Sequence, residues 1–214
     1  MKKKIEYFQL LKEKYEICIS NFFIRNVTFY PWGVFEIDKK KLFKEEKKNQ
    51  IEFFRKILTT SSGKIYSPQY KSVYKLIENL KKNIKKTQTL HSCIIEHKNE
   101  KILILREIIK TKKNYTDKII INPKESFLWD YRFQVSSMKH QIELKIIDLN
   151  SWKFIKDYFF KKENRELKFR ILQSLPLIKN KNKFFIPFIN NPQDLRELGI
   201  DFFFNPINSL TINK

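Results

Sequence analysis

The chain has 214 residues, and 44 Lys+Arg against 23 Asp+Glu give it a formal net charge of +21 at pH 7, which attracts polyanions such as RNA, DNA or an anionic membrane surface. Its 42% hydrophobic and 15% aromatic residues are typical of a globular protein and exclude wholesale disorder. Three isolated glycines, Gly33, Gly63 and Gly199, exclude the glycine cluster that a loop around nucleotide phosphates usually needs.

The first sixty residues show helical periodicity on either side of a turn. Apolar side chains at three- and four-residue spacing predict a helix over residues 5–23. Residues 31–37 predict a turn followed by a short extended segment. Asp38 is the expected N-cap of a second helix over residues 39–58, which the polar run 59–63 ends.

A third helix is expected to begin at Ser67 and Pro68, because serine as a cap with proline in the first turn is a favoured order. Its predicted core face consists of Val73, Leu76, Ile77 and Leu80. Four lysines follow that face and form a dense basic cluster: Lys81, Lys82, Lys85 and Lys86. Lysines at a helix end also complement the helix dipole, so a structural role is as well supported as ligand binding.

The period of the pattern then changes from helix to strand. Two short apolar runs, residues 89–95 and 101–106, flank the polar turn 97–100 and predict a hairpin. Polar and basic residues over 111–117 predict a linker between two domains.

Strands and one helix are mixed in the remainder of the chain. Strands are predicted near residues 127–135, 142–147 and 183–189, with a helix over 151–160 that Asn150 caps. The predicted fold class is α+β rather than doubly wound.

Two domains are therefore expected. Residues 1–113 form a helical module with a β-hairpin, and residues 117–214 form a smaller mixed α/β module.

A membrane location is not expected, because charged residues interrupt every apolar run well before the ~18 residues that a spanning helix needs. The lysines after Met1 resemble the start of a signal peptide, but no apolar segment follows them. Cys18 and Cys93 are too few for a disulfide framework or a zinc site. These features favour a reducing, cytosol-like compartment.

The residues themselves indicate no catalytic chemistry. His91 and Cys93 share a strand face, but without a second pair of ligands a buried strand position is favoured over a metal site. Tyr66 stands beside Lys64 and Lys71 after a glycine turn, an arrangement that suits RNA.

Arg132 lies among aromatic residues and two positions after Asp130, and it allows two interpretations. The guanidinium can stack on a base or reach a phosphate. Alternatively, Asp130 and Arg132 pair on one strand face while Trp129 and Phe133 fill the core. The residues do not decide between these two.

The order of several short strings resembles one known family. The strings are Gly63-x-x-Tyr66-x-Pro68, Thr89-Leu90-x-x-Cys93, Arg106-Glu107, Trp129-Asp130-x-Arg132-Phe133 and Ser174-Leu175-Pro176 ahead of Phe185-Ile186-Pro187. Over residues 25–188 the chain resembles the C-terminal half of bacterial tRNA(Ile)-lysidine synthetase, especially the alphaproteobacterial or organellar type. It departs from the family at Gln69, where many relatives have arginine, at His91-Ser92, where a second small residue is expected before the cysteine, and at Tyr131, where a glycine is usual.

The resemblance implies a specific reaction for the family. Its members use ATP, with Mg²⁺, to adenylylate the wobble cytidine of an isoleucine tRNA, and lysine then displaces AMP. That chemistry resides in an N-terminal domain with a Ser-Gly-Gly-x-Asp-Ser loop, which this sequence does not contain. No catalytic residue is carried over, no cofactor is expected in this chain, and the chain is expected to be inactive alone, either as a fragment or as the product of a split gene.

The resemblance also implies that this chain binds tRNA. The expected partner is isoleucine tRNA with a CAU anticodon, together with a separately encoded ATP-binding domain and a second copy in a homodimer, in the cytoplasm or an organellar matrix. The expected tRNA contacts are Lys64, Tyr66, Lys71, Lys81, Lys82, Lys85, Lys86, Arg106 and Arg132. The alternatives are a stand-alone basic RNA-binding module, or a non-catalytic remnant whose lysines reflect an AT-rich coding sequence.

Overall fold

A computed structural model describes residues 2–84, 86–107, 118–148, 153, 169–190, 192–208 and 210. These residues form six helices and twelve strands in three sheets, which confirms the predicted α+β class. The chain divides into two compact units, of which the first comprises Met1–Phe29, Phe35–Ile104 and Ile207–Lys214, and the second Tyr30–Val34 and Leu105–Pro206.

The first unit combines helices with a five-stranded sheet of strand order β1-β2-β5-β4-β3. The elements in chain order are α1 (Lys2–Asn26), β1 (Val27–Tyr30), β2 (Val34–Asp38), α2 (Lys39–Lys44), α3 (Lys47–Ser62), α4 (Tyr70–Lys81), β3 (Thr87–Leu90), β4 (Cys93–Lys98) and β5 (Lys101–Arg106). Helix α3 contacts α1, α2, α4 and β4, so it is the central element of this unit.

Aromatic packing fixes α1 against α3. The rings of Phe22 and Phe53 stack with their centroids 3.9 Å apart, and Phe23 meets Phe53 edge-on at 5.8 Å. All three side chains are buried, and an aromatic pair contributes about 0.5–1.5 kcal/mol beyond the burial of its area.

The second predicted helix is wrong in its extent, because it is two helices. Asp38 caps α2 as expected, accepting a hydrogen bond from the backbone N–H of Lys41 at 3.0 Å. Glu45 and Glu46 are extended and end α2, and the side chain of Gln50 donates to the carbonyl of Glu45 at 2.6 Å.

The polar run at residues 59–62 does not end α3 but forms its buried last turn. Thr59 Oγ1 donates to the carbonyl of Arg55 at 2.7 Å, and Ser62 Oγ donates to the carbonyl of Thr59 at 3.0 Å. These two hydroxyls are satisfied within the helix and so can be buried there, whereas the hydroxyls of Thr60 and Ser61 are buried without a hydrogen-bond partner among the described residues. Gly63, at φ +67°, ends α3 in the left-handed conformation that favours glycine.

The third predicted helix begins two residues later than expected, with Gln69 rather than Ser67 as its N-cap. Its predicted core face is confirmed in full, since all four side chains are buried: Val73, Leu76, Ile77 and Leu80.

The predicted hairpin contains three strands rather than two. Leu90 pairs with Cys93, and the two residues between them, His91 and Ser92, have φ values of +53° and +59°. His91 therefore lies in a tight turn and shares no strand face with Cys93. The Cys93 thiol is buried and donates to the carbonyl of Leu58 at 3.6 Å.

The second unit contains two small antiparallel sheets. Its elements are β6 (Ile119–Ile121), β7 (Glu125–Trp129), β8 (Phe133–Ser137), β9 (Ile142–Ile146), α5 (Phe169–Leu172), β10 (Pro176–Asn180), β11 (Lys183–Phe185), α6 (Pro192–Glu197) and β12 (Ile200–Phe204). The strand orders are β11-β10-β9-β6 and β12-β8-β7. Both sheets contribute to one apolar core that includes Trp129, Phe133, Leu144 and Ile178.

The sequence predictions for this unit are met in part. Strands β9 and β11 lie where strands were expected, but the run 127–135 is broken into β7 and β8 by a turn. The predicted helix 151–160 and linker 111–117 lie outside the described residues, apart from Lys153, which is helical. The division into residues 1–113 and 117–214 stays a prediction.

No helix in the described part of the chain is long and apolar enough to cross a membrane. That search did not extend to the remaining residues.

The β7–β8 turn generates a test of backbone strain. Tyr131 has φ +55°, its side chain is 51% exposed, and a left-handed backbone costs a residue with a Cβ about 1–2 kcal/mol. We expect Tyr131→Gly to raise the free energy of unfolding by about 0.5–1 kcal/mol, since part of the relief is offset by the greater unfolded-state entropy of glycine. Urea titration measures the change.

The control for this test is Tyr131→Ala, which removes the ring but keeps a Cβ at positive φ. We expect no stabilisation from it. An equal gain from alanine and glycine would contradict the strain argument and assign the effect to the exposed ring.

Candidate nucleic-acid interface

The loop between α3 and α4 projects a basic and aromatic surface. Lys64 and Tyr66 are exposed, and Tyr66, at 81%, is the most exposed large hydrophobic residue in the described part of the chain. Lys71 follows on the first turn of α4 and is exposed as well. The structure therefore places these three predicted contacts on one continuous stretch of the first unit.

The backbone of this loop is anchored although its side chains are exposed. Arg55 Nε donates to the carbonyl of Pro68 at 3.1 Å, and the hydroxyls of Thr59 and Ser67 lie 3.1 Å apart. Asn208 Nδ2 donates to the carbonyl of Lys64 at 2.8 Å. A loop held in this way presents its side chains to a ligand at a low cost in ordering entropy.

The exposed face of α4 extends this surface with residues that the sequence reasoning missed. Tyr70 and Tyr74 are 51% and 45% exposed, and Lys75 is exposed beside them. Residues four apart are neighbours on a helix, so the two tyrosines form an aromatic row that borders the buried face. Tyr74 lies three residues before the buried Ile77 and Tyr70 seven before it, so helical periodicity places both beside the core and gave no signal of their exposure.

An ion pair adjoins the aromatic row. Lys47 Nζ is hydrogen-bonded to Glu78 and lies 4.5 Å from the centroid of the Tyr74 ring, a cation–π distance. The hydrogen bond from Lys47 is the main cause that holds the pKa of Glu78 below its ordinary value. Glu78 is consequently an anion at neutral pH and compensates Lys47, which leaves Lys71 and Lys75 as the cations of this face.

The basic cluster lies at the other end of α4. Lys81 is the last residue of the helix and Lys82 its C-cap, and both side chains are exposed. The carbonyl of Lys86 accepts a hydrogen bond from the N–H of His97 at 2.8 Å, and its side chain is exposed. Lys85 lies outside the described residues. The structure thus brings three of the four predicted lysines to one end of a helix.

Arg106 and Arg132 are not on a surface, because both are buried around the carboxylate of Asp130. Arg106 donates through Nε and Nη2 to the two Asp130 oxygens at 2.8 and 2.7 Å, and Arg132 Nε donates at 2.9 Å. The exposed fraction is 5% for Arg106 and 0% for Arg132 and Asp130. Bidentate pairing of arginine with carboxylate is a strong and directional interaction.

The prediction that Arg106 and Arg132 contact tRNA is therefore not supported. The alternative is confirmed, since Asp130 and Arg132 pair while Trp129 and Phe133 fill the core. It needs one correction, because the pair lies in the β7–β8 turn rather than on a strand face. The spacing of Asp130 and Arg132 in the sequence predicted their pairing, but it did not predict that Arg106 would bind the same carboxylate.

The three glycines do not fit a phosphate-binding loop. Each has a positive φ in a separate turn: Gly33 precedes β2, Gly63 follows α3 and Gly199 precedes β12. Within the described residues no glycine begins a helix, and no group of three or more His, Cys, Asp or Glu side chains could hold a metal ion.

Comparison with known proteins finds tRNA(Ile)-lysidine synthases of several Rickettsia species among the relatives of this chain. The tRNA(Ile)-lysidine synthase of Rickettsia bellii (strain OSU 85-389) is 24% identical over 208 residues, which is 93% of this chain and 47% of the relative. The one from Rickettsia akari is 24% identical over 210 residues, 94% of this chain and 48% of the relative. The one from Rickettsia prowazekii is 27% identical over 179 residues, 80% of this chain and 40% of the relative.

No family model and no solved structure matches the chain. The similarity to lysidine synthases that the ordered strings indicated is nevertheless confirmed, at low identity. This chain is similar to enzymes of tRNA modification and spans about half the length of the curated relatives it matches.

The buried carboxylate generates a stability prediction. We expect Asp130→Asn to lower the free energy of unfolding by about 3–5 kcal/mol, because two buried guanidinium groups lose their counter-charge. Urea unfolding followed by tryptophan fluorescence measures the loss. Asp201→Asn, an exposed carboxylate on β12, is the matched control and should change stability by less than about 0.5 kcal/mol. Equal effects of the two variants would contradict a special role for Asp130.

Proposed function

We propose that this chain is the tRNA-binding portion of a tRNA(Ile)-lysidine synthase. The observation that carries the proposal is the similarity to these enzymes over 93% of the chain, together with an exposed basic and aromatic surface on the α3–α4 loop and α4. Lysines at such a surface contact phosphates and fix the position of the RNA, while exposed tyrosines stack on unpaired bases.

The tRNA contacts that we propose are a set of exposed residues in the first unit. They are Lys64, Tyr66, Lys71, Lys81, Lys82 and Lys86 from the sequence, extended by Tyr70, Tyr74 and Lys75 from the structure. The basic side chains supply attraction that does not depend on base sequence, and the anchored loop and helix supply shape.

The partners follow from the same proposal. The tRNA would be the isoleucine tRNA with a CAU anticodon, and the ATP-dependent step would be supplied by a separately encoded domain. The proposal also includes assembly of the chain as a homodimer and its location in the cytoplasm or an organellar matrix.

Salt-dependent binding tests the role in tRNA recognition. We expect affinity for the isoleucine tRNA to fall steeply with salt, and Lys64→Gln and Lys71→Gln each to reduce the slope of log K against log salt by about 1, because each removes one phosphate contact. Filter binding across about 50–200 mM salt gives the slopes.

Lys101→Gln is the control for charge alone. Lys101 forms an ion pair with Glu36, so its removal lowers the net charge by the same amount but takes away a cation that is already compensated. A similar slope for all three variants would contradict a local interface. Equal affinity for isoleucine tRNA, bulk tRNA and an RNA duplex would instead favour the stand-alone basic module, and no binding at moderate salt would favour the remnant.

A reconstitution assay tests the link to lysidine. The chain alone with tRNA, ATP and radiolabelled lysine is expected to incorporate no label, because its three glycines stand apart in the sequence and form no glycine-rich phosphate loop. Adding the part of the Rickettsia bellii protein that the match does not cover is expected to give incorporation. Incorporation of label by the chain alone contradicts the proposal that a separate domain supplies the ATP-dependent step. If no label is incorporated with a partner portion that is verified to bind ATP, this chain is not a subunit of such an enzyme. Its RNA binding is then judged by the salt-dependent binding experiment alone.

A further inference from the structure

A pocket in the first unit lies beside the basic end of α4, and no role has been assigned to it. Its volume is about 530 Å³, within the range of roughly 300–1,000 Å³ that is usual for small-molecule sites. Its lining comes from α2, the residue after the α4 cap and the β4–β5 turn: Lys39, Lys40, Phe43, Lys44, Asn83, His97, Asn99 and Glu100.

Lys39 is held in a defined position in this pocket. Its Nζ donates to Asn83 Oδ1 at 2.7 Å and lies 2.9 Å from His97 Nε2. Since an ammonium has donors only, His97 Nε2 is the acceptor in this contact. Both acceptors are uncharged, so they orient the ammonium without cancelling its charge.

The pocket carries an excess of positive charge. Three of the lining residues are lysines, and Glu100 is the one acidic residue among them. Glu100 lies 3.5 Å from Lys40, and both side chains are largely exposed, so this pair is weak. Lys81 adds a further cation from the end of α4, with its Nζ 5.5 Å from the centroid of the Phe43 ring.

Phe43 provides a flat apolar wall within reach of these cations. Its half-buried ring lines the pocket, and Lys39 Nζ lies 5.8 Å from the ring centroid. An aromatic wall beside converging ammonium groups matches a ligand that combines a planar ring with a phosphate. An inorganic anion would leave the ring unused, and a nucleic-acid duplex is too wide to enter a pocket of this volume.

We propose that this pocket binds one nucleoside monophosphate unit, with its phosphate on Lys39, Lys44 and Lys81 and its base against Phe43. The unit is either an unpaired residue of a bound RNA strand, in which case the inference rests on the proposed tRNA-binding function, or a free nucleotide. The like charges that converge on the pocket repel one another, and a bound phosphate relieves that repulsion.

Calorimetric titration with 5′-CMP, cytidine and inorganic phosphate tests the site. We expect 5′-CMP to saturate at millimolar concentration and to bind at least about tenfold more tightly than either cytidine or phosphate, because only the nucleotide uses both walls. Lys39→Gln is expected to weaken 5′-CMP binding about tenfold. Phe43→Leu keeps an apolar side chain without an aromatic face, and should remove the preference for 5′-CMP over phosphate.

Lys183→Gln is the matched control, because it removes an exposed lysine of β11 that neither lines the pocket nor belongs to the proposed tRNA contacts. Circular dichroism and the midpoint of thermal unfolding establish that each variant is folded. The proposal is overturned if 5′-CMP shows no saturation below roughly 10 mM, or if Lys39→Gln and Lys183→Gln weaken it equally.

The affinity for tRNA of the same variants identifies the source of the nucleotide. A loss in Lys39→Gln and Phe43→Leu that parallels the loss for 5′-CMP assigns the pocket to a residue of the RNA. Unchanged tRNA affinity with weakened 5′-CMP binding assigns it to a free nucleotide. If the chain binds 5′-CMP but no tRNA, the proposed tRNA-binding function is contradicted and the nucleotide site is supported. If it binds tRNA but not 5′-CMP, only the nucleotide site is contradicted.

Discussion

A shortage of carboxylates is the constraint on which the rest of this structure depends. With 23 acidic residues for 44 basic ones, nearly half of the cations would lack an anionic partner even if every carboxylate paired with one of them. Asp130, buried completely, compensates two guanidinium groups at once, an efficient use of one carboxylate because arginine binds it in a bidentate manner. Lysine is more strongly hydrated and stays at the surface. Arg106 and Arg132 therefore share one buried carboxylate, while most of the described lysines are exposed and form a surface suited to a polyanion.

The scarcity of glycine is the second constraint, and it acts on the turns. Nine residues other than glycine in the described part of the chain have positive φ, among them His91, Ser92, Asp130 and Tyr131. Asn, Asp and His tolerate this conformation better than other residues with a Cβ, but tyrosine has no such advantage. The β7–β8 turn nevertheless forms, because Asp130 is held there by Arg106 and Arg132 and because Trp129 and Phe133 pair on either side. Tertiary contacts therefore determine this turn against local preference.

The sequence predicted well wherever one strong periodicity decided the structure, and poorly where a distant partner did. The core face of α4 was predicted correctly because four apolar residues at helical spacing have one way to be buried. The break after α2 was missed because it depends on Gln50 reaching the carbonyl of Glu45. Strands β6 and β12 were missed because their pairing partners lie on other segments of the chain, β12 beside β8 for example. Arg132 could not be placed from sequence, since its burial depends on a carboxylate shared with Arg106.

Helix α4 connects the two candidate surfaces of the first unit, and its length sets their separation. Twelve residues at 1.5 Å each give about 18 Å between the Tyr66 loop and the Lys81 end, where the Phe43 pocket lies. The exposed face between them carries Tyr70, Tyr74, Lys71 and Lys75. An RNA strand that contacts both ends of α4 would therefore pass over groups that can stack on bases or bind phosphates along its whole path. The buried face of the same helix is apolar and fixes α4 on α3. One amphipathic helix therefore does two things at once: its core face makes the fold rigid, and its outer face holds two binding features at a fixed distance.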